Sequence, residues 1–108
     1  MKAWEIWTGE IFGPHPVVLV SNQKRIDLKD QIVVLKCATM RPTEARDAKA
    51  NETVLDEEDG LNWKTLCRCD LLFTVPKNSL TNKRGVVCSE RRRDIARKII
   101  QGLAIAGM

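Results

Sequence analysis

The chain of 108 residues has no apolar run long enough to cross a bilayer, a single histidine, and four cysteines with no CxxC among them. Each shortage excludes something. The opening MKAWEIWTGE places Glu5 where a signal peptide would need an unbroken apolar segment, so a cytoplasmic protein with no membrane partner is expected. Cys37, Cys67, Cys69 and Cys88 are too few and too irregular for a secreted disulfide framework. Cys67 and Cys69 form CxC, and His15 has no second histidine to join it, so neither a metal site nor another cofactor is expected. Reduced thiols filling core positions is the better reading. Repeats and low-complexity segments are absent too.

What is present suits one folded domain spanning residues 1–108. The sequence is 44% hydrophobic and 30% charged, an ordinary balance at a length that buries one core. A formal net charge of +4 favours an anionic partner without establishing one. The charge is unevenly spread: Asp56, Glu57, Glu58 and Asp59 cluster mid-chain, whereas Lys83, Arg84, Arg91, Arg92, Arg93, Arg97 and Lys98 make the last quarter basic. That end either meets phosphate or supplies the solvated face of a helix.

Apolar periodicity predicts strands at Trp4 to Thr8, Pro16 to Ser21, Gln31 to Cys37, Thr53 to Leu55, Leu66 to Val75 and Gly85 to Cys88. Gly9 to His15 reads as a loop around Gly13-Pro14-His15-Pro16, and Asn22 to Asp30 as polar and turn-like. Met40 to Asn51 reads as a mobile surface loop of a length that often serves function. A helical turn is expected near Lys77 to Leu80. Ser89 reads as the N-cap of a C-terminal helix in which Ile95, Ile99 and Leu103 recur at helical spacing, with Gly102 loosening its last turn. Several short strands and one terminal helix suit a small β-barrel.

In a strand, side chains two apart share a face, so Arg68 and Asp70 project together. Taken alone, such a pair is usually an exposed ion pair. Trp4 and Trp7 fall on opposite faces of their strand, so burial of one is expected. Trp63, beside the acidic turn, is the expected surface aromatic, placed to stack a base.

The block GLNWKTLCRCDLLFTVPKNSL, from Gly60 to Leu80, resembles the part of MazF and Kid/PemK toxins in which a Gly-Leu precedes a strand carrying Arg-Cys-Asp and then Thr-Val. Trp4-Glu5-Ile6-Trp7 is similar to that family's opening strand, and His15-Pro16-Val17-Val18-Leu19-Val20-Ser21 to its Arg-Pro-Val-Leu-Val-Val-Ser. Gly85-Val86-Val87, then Ser89 and a helix, resembles its closing segment. The order holds along nearly the whole chain. The resemblance implies an SH3-like barrel with a C-terminal helix, a homodimer and a cognate antitoxin. It also implies metal-independent cutting of single-stranded RNA. Carried over, Asp70 is the base for the 2′-hydroxyl and Arg68 faces the scissile phosphate, where an arginine suits charge stabilisation better than proton delivery. Thr65, Trp63 and Arg41 are the candidate substrate-binding residues.

The departures fall on the same site. His15 stands where the family has an arginine, after a shorter first loop, and Cys37-Ala38-Thr39 puts Thr39 one residue beyond the usual hydroxyl. His15 either acts as a general acid or shapes a turn between two prolines, and Thr39 is a secondary catalytic candidate. The alternative function is a binding module of the same fold that docks RNA or protein without cutting. A gyrase poison like the CcdB branch is a third, lacking that branch's C-terminal signature here.

Overall fold

The computed structural model describes residues 1–44 and 46–103, so Ala45 in the Met40 to Asn51 loop and residues 104–108 lie outside the described residues. Six strands, β1 (Glu5–Glu10), β2 (Pro14–Leu19), β3 (Gln31–Thr39), β4 (Glu52–Leu55), β5 (Thr65–Pro76) and β6 (Thr81–Val86), form one antiparallel sheet in the order β4-β5-β3-β2-β1-β6. Two helices, α1 (Gln23–Leu28) and α2 (Ser89–Gly102), complete the fold with 3₁₀ turns at Pro42–Glu44, Glu57–Asp59 and Lys77–Ser79. The expected mostly β architecture with a terminal helix is present, the sheet curling into a half-barrel.

The central strands are buried on both faces, which explains why their sequences are continuous apolar runs rather than alternating ones. Along β2, Val18 joins a core with Leu35, Cys37, Cys67, Cys69 and Ile95, while its neighbours Val17 and Leu19 join a second core with Ile26, Ile32 and Val34. Helix α2 supplies Ile95 to the first, and α1 supplies Ile26 to the second. Trp4 packs on the first core and Trp7 on the second. Both tryptophans are therefore half-buried, where burial of only one was expected, because each face has its own core.

Other boundaries move for local reasons. Asn22 accepts a hydrogen bond from the Arg25 N–H at 2.8 Å and so caps a helix where a turn was expected. The first hairpin loop shortens to Ile11–Gly13, leaving His15 in β2 opposite Gly9, so His15 belongs to a strand and not to a turn. The last strand begins earlier, at Thr81, and ends at Val86. The cap position of α2 is Cys88 rather than Ser89, and no side chain caps it. Its start is fixed instead by buried Asp59, whose carboxylate accepts from the Cys88 N–H at 2.8 Å and from Arg91.

The acidic turn and the basic tail thus meet. Arg91 also bridges Asp56 at 2.7 Å, and those carboxylates hold its guanidinium pKa above the ordinary arginine value. Gly85 makes the approach possible, since a Cβ there would run into the Asp59 carbonyl.

Cys37, Cys67 and Cys69 pack the first core, whereas Cys88, also expected there, is half-buried at the start of α2. Cys37 and Cys67 are cross-strand neighbours, and all four thiols are free. The side-chain hydrogen bond to Cys37, then burial, pushes the Cys67 thiol well above its ordinary value, which leaves it without thiolate character.

Candidate functional site

The seven residues singled out by sequence fall along two cavities at opposite ends of the 41–51 loop. His15, Thr39 and Arg41 line one of about 510 Å³ together with Pro14, Glu44 and Arg84. Thr39 and Arg84 also line an adjoining cleft of about 410 Å³ that contains Trp63 and Thr65. These two spaces form one groove at the β2, β3 and β6 ends. Arg68 and Asp70 line a separate pocket of about 180 Å³ with Arg46, Lys49, Asn51, Glu52 and Leu71. Among the described residues none is shared between groove and pocket, so within the chain His15 and Thr39 do not stand beside Asp70.

Pairing builds the groove. Thr39 lies opposite Thr65 in the β3–β5 register, and His15 stands three residues before the β2 position paired with Leu35. Thr65 is buried and donates its hydroxyl to the Trp63 carbonyl at 3.1 Å, which fixes the turn that presents Trp63, 52% exposed. Arg84 has no carboxylate partner among the described residues; its Nε donates to the Thr8 hydroxyl at 2.8 Å. Sequence reasoning counted Arg84 among the basic tail but did not place it in the site. The β1–β6 pairing, which carries it over Thr8, had no local signal.

A break in the sheet builds the pocket. β5 pairs with β3 through Leu72 opposite Leu35 and through Cys67 opposite Cys37, so residues 68–71 bulge away from that ladder. On its other edge β5 pairs with β4 over residues 65–68, ending with Arg68 opposite Glu52. Glu52, its side chain 3% exposed, takes two hydrogen bonds from Arg46 at 2.8 and 2.9 Å and one from the Lys49 N–H at 2.9 Å. The Arg46 bonds outweigh burial and hold the Glu52 carboxyl at about 2. The Arg68 Nε is 3.7 Å from the same carboxylate, beyond hydrogen-bond reach, and is a buried nitrogen without a partner. Asp70 is exposed and makes no hydrogen bond among the described residues. A guanidinium that pairs only at 3.7 Å with Glu52 and a carboxylate without an internal hydrogen bond, two residues apart, thus share a pocket.

The rest of the basic tail is mostly committed. Lys83 pairs with Glu5 at 2.8 Å, Arg97 and Lys98 pair with Asp94, and Arg92 donates to the Val87 carbonyl. Burial raises the Glu5 carboxyl, but Lys83, the Lys2 N–H and the Trp7 indole together bring it down to about 2. The excess positive charge therefore serves the fold along α2 and stays available in the groove. Among the described residues, no three His, Cys, Asp or Glu side chains group as a metal site.

No protein-family model matches the sequence, and no curated protein is significantly similar to it. Solved structures are similar in fold. The toxin MazF-mt6 of Mycobacterium tuberculosis shares 19% identity over 91% of this chain and 94% of that one, with a TM-score of 0.78. An endoribonuclease in complex with its cognate antitoxin from a mycobacterial species shares 18% identity over 95% and 94%, with a TM-score of 0.81. A chain of a MazE-MazF crystal structure from Deinococcus radiodurans shares 12% identity over 98% and 97%, with a TM-score of 0.74. The chain has the MazF fold.

Proposed function

We propose that the chain is the toxin of a type II toxin–antitoxin system, a metal-independent endoribonuclease of single-stranded RNA. The observation that carries this reading is the pocket in which exposed Asp70 stands with Arg68, whose buried Nε has no hydrogen bond and only a 3.7 Å ion pair to Glu52. In the proposed step the Asp70 carboxylate takes the proton of a ribose 2′-hydroxyl. The 2′-oxygen bonds to phosphorus while the bond from phosphorus to the 5′-oxygen breaks, and that oxygen leaves with a proton from water. The products are a cyclic phosphate and a 5′-hydroxyl. Arg68 stabilises the charge gathering on the phosphoryl oxygens, a task for a cation that does not titrate.

The groove holds the RNA on either side of the cut. Arg41, Arg84 and His15 meet phosphates, Thr39 and Thr65 border the strand, and Trp63 stacks a base. Strand β5 links groove to pocket: Thr65 and Arg68 are three residues apart, about 10 Å along a strand. The 41–51 loop lines both spaces, with Arg41 at one end and Arg46 and Lys49 at the other. Arg84 supplies a cation beside His15 in the same cavity. A second copy of the chain and a cognate antitoxin, as with the similar endoribonuclease solved with its antitoxin, complete this reading, and the cytoplasm is where its substrate lies.

The test is cleavage of diverse single-stranded RNA in EDTA by wild type, Asp70→Ala and Arg68→Ala. Cutting that both substitutions abolish supports the nuclease. A folded protein that binds RNA and cuts none of it overturns the nuclease in favour of a binding module.

A further inference from the structure

The cleft on the β6 side of the groove has more in it than phosphate binding requires. Its wall is the Trp63 ring, and facing polar groups come from Asn62 and Asn82. Neither carboxamide makes a hydrogen bond among the described residues. Asn82 sits at φ 49, a left-handed conformation that asparagine tolerates better than most side chains and that turns it out of the β6 ladder. The two cations of the cleft are oriented by other residues, Lys83 by Glu5 and Arg84 by Thr8. An exposed aromatic ring, exposed amides without internal partners and a guanidinium within about 410 Å³ match one nucleotide in size and in kind.

We propose that this cleft takes a single unpaired adenine, stacked on Trp63 and read by the carboxamides of Asn62 and Asn82, with Arg84 on its phosphate. Adenine fits because both edges of an unpaired base are open and adenine alone sets its N6 amino donor beside an acceptor on each, N1 on one and N7 on the other. Two carboxamides thus each find a bidentate match; a pyrimidine has no N7 edge. Guanine presents two acceptors there, O6 and N7, and needs a free cation. Lys83 is committed to Glu5, and Arg84 is the phosphate contact. The inference rests on the proposed RNA-binding reading of the groove and adds its sequence preference.

Binding of 2′-O-methyl hexanucleotides, which cannot be cut by 2′-oxygen attack, tests it apart from catalysis. Fluorescence anisotropy at fixed salt compares oligouridylate with the same strand carrying one central adenine, guanine or cytosine. The adenine strand should bind about tenfold tighter than oligouridylate, within the range one bidentate base contact gives. Trp63→Ala should weaken all four strands by roughly tenfold, the loss of one stacked base. Asn82→Gly keeps the left-handed backbone and removes the amide, so it should erase the adenine preference while the fold and weak binding persist.

Equal binding of the four strands, a preference for another base, or an adenine preference that Asn82→Gly and Asn62→Ala both leave intact overturns the proposal. So does failure to bind any strand. Adenine-selective binding by a protein that cuts nothing keeps the cleft and removes the nuclease; cutting without adenine preference does the reverse.

Discussion

The pocket and the groove use their cations in opposite ways. In the pocket, charges brace one another: Arg46 hydrogen-bonds Glu52, and Arg68 pairs with the same carboxylate at 3.7 Å. In the groove, Arg84 rests on a neutral hydroxyl, and Arg41 makes no ion pair among the described residues. Bracing suits a group that must stand at a fixed place in a transition state. Loose tethering suits groups that neutralise a phosphate wherever the strand lies. Substitutions in the pocket should therefore change the rate of cutting, and those in the groove should change affinity.

The largest expected effect is at Asp70. Asp70→Ala should lower the single-turnover cleavage rate by about 10²- to 10⁴-fold, the usual contribution of a positioned base. Because the side chain is exposed and unbonded, the melting temperature should hardly move. Arg68→Ala should cost about 10²- to 10³-fold in the same assay, with RNA affinity nearly unchanged. If both variants instead keep the rate and lose affinity, the division between the two cavities is broken.

Much of this was legible in the sequence, for identifiable reasons. The pairing of Arg68 with Asp70 follows from strand alternation, and the apolar runs of β2 and β3 announced buried strands. The bulge at residues 68–71 was not legible, since it depends on how β5 is registered against β3, with Cys37 opposite Cys67 and Leu35 opposite Leu72. Asp59 read as one more surface acid, because nothing local shows that Arg91, 32 residues on, would bury it. Arg84 was hidden for the same reason: its place depends on β6 lying beside β1. Arg68 and Asp70 share a pocket as strand alternation implies, whereas Arg84 reaches the groove only through topology.

Glu52 sharpens the comparison by testing the brace itself. Glu52→Gln should destabilise the protein by about 2 kcal/mol at neutral pH, less than a fully buried pair because Arg46 is partly exposed. The folded carboxyl sits at about 2, below its unfolded value, so the unfolded chain takes up protons first as the pH falls. Its stabilisation is complete above about pH 5 and is lost toward pH 2. Urea unfolding of wild type and variant should therefore converge over that window. A constant difference across it would mean that the charge of Glu52 contributes nothing and only its shape matters. Cutting should slow as well, because Arg68 and the 41–51 loop lose the carboxylate that sets their spacing.

The smallest effects belong to the groove and are the most diagnostic of loose tethering. Arg84→Ala should weaken RNA binding by about fivefold, the worth of one exposed charge contact, and leave the single-turnover rate at saturating RNA unchanged. The slope of log affinity against log salt should fall by about 0.7, one phosphate contact to a single strand. Thr8→Val removes only the hydroxyl that receives the Arg84 Nε. The guanidinium keeps its charge and reach but samples more directions, so affinity should drop by about twofold while the salt slope stays at the wild-type value, within the modest energy of one hydrogen bond. A salt slope that fell in Thr8→Val as far as in Arg84→Ala would show that the hydroxyl is a brace after all. Groove and pocket would then differ in what their cations touch and not in how firmly they are held.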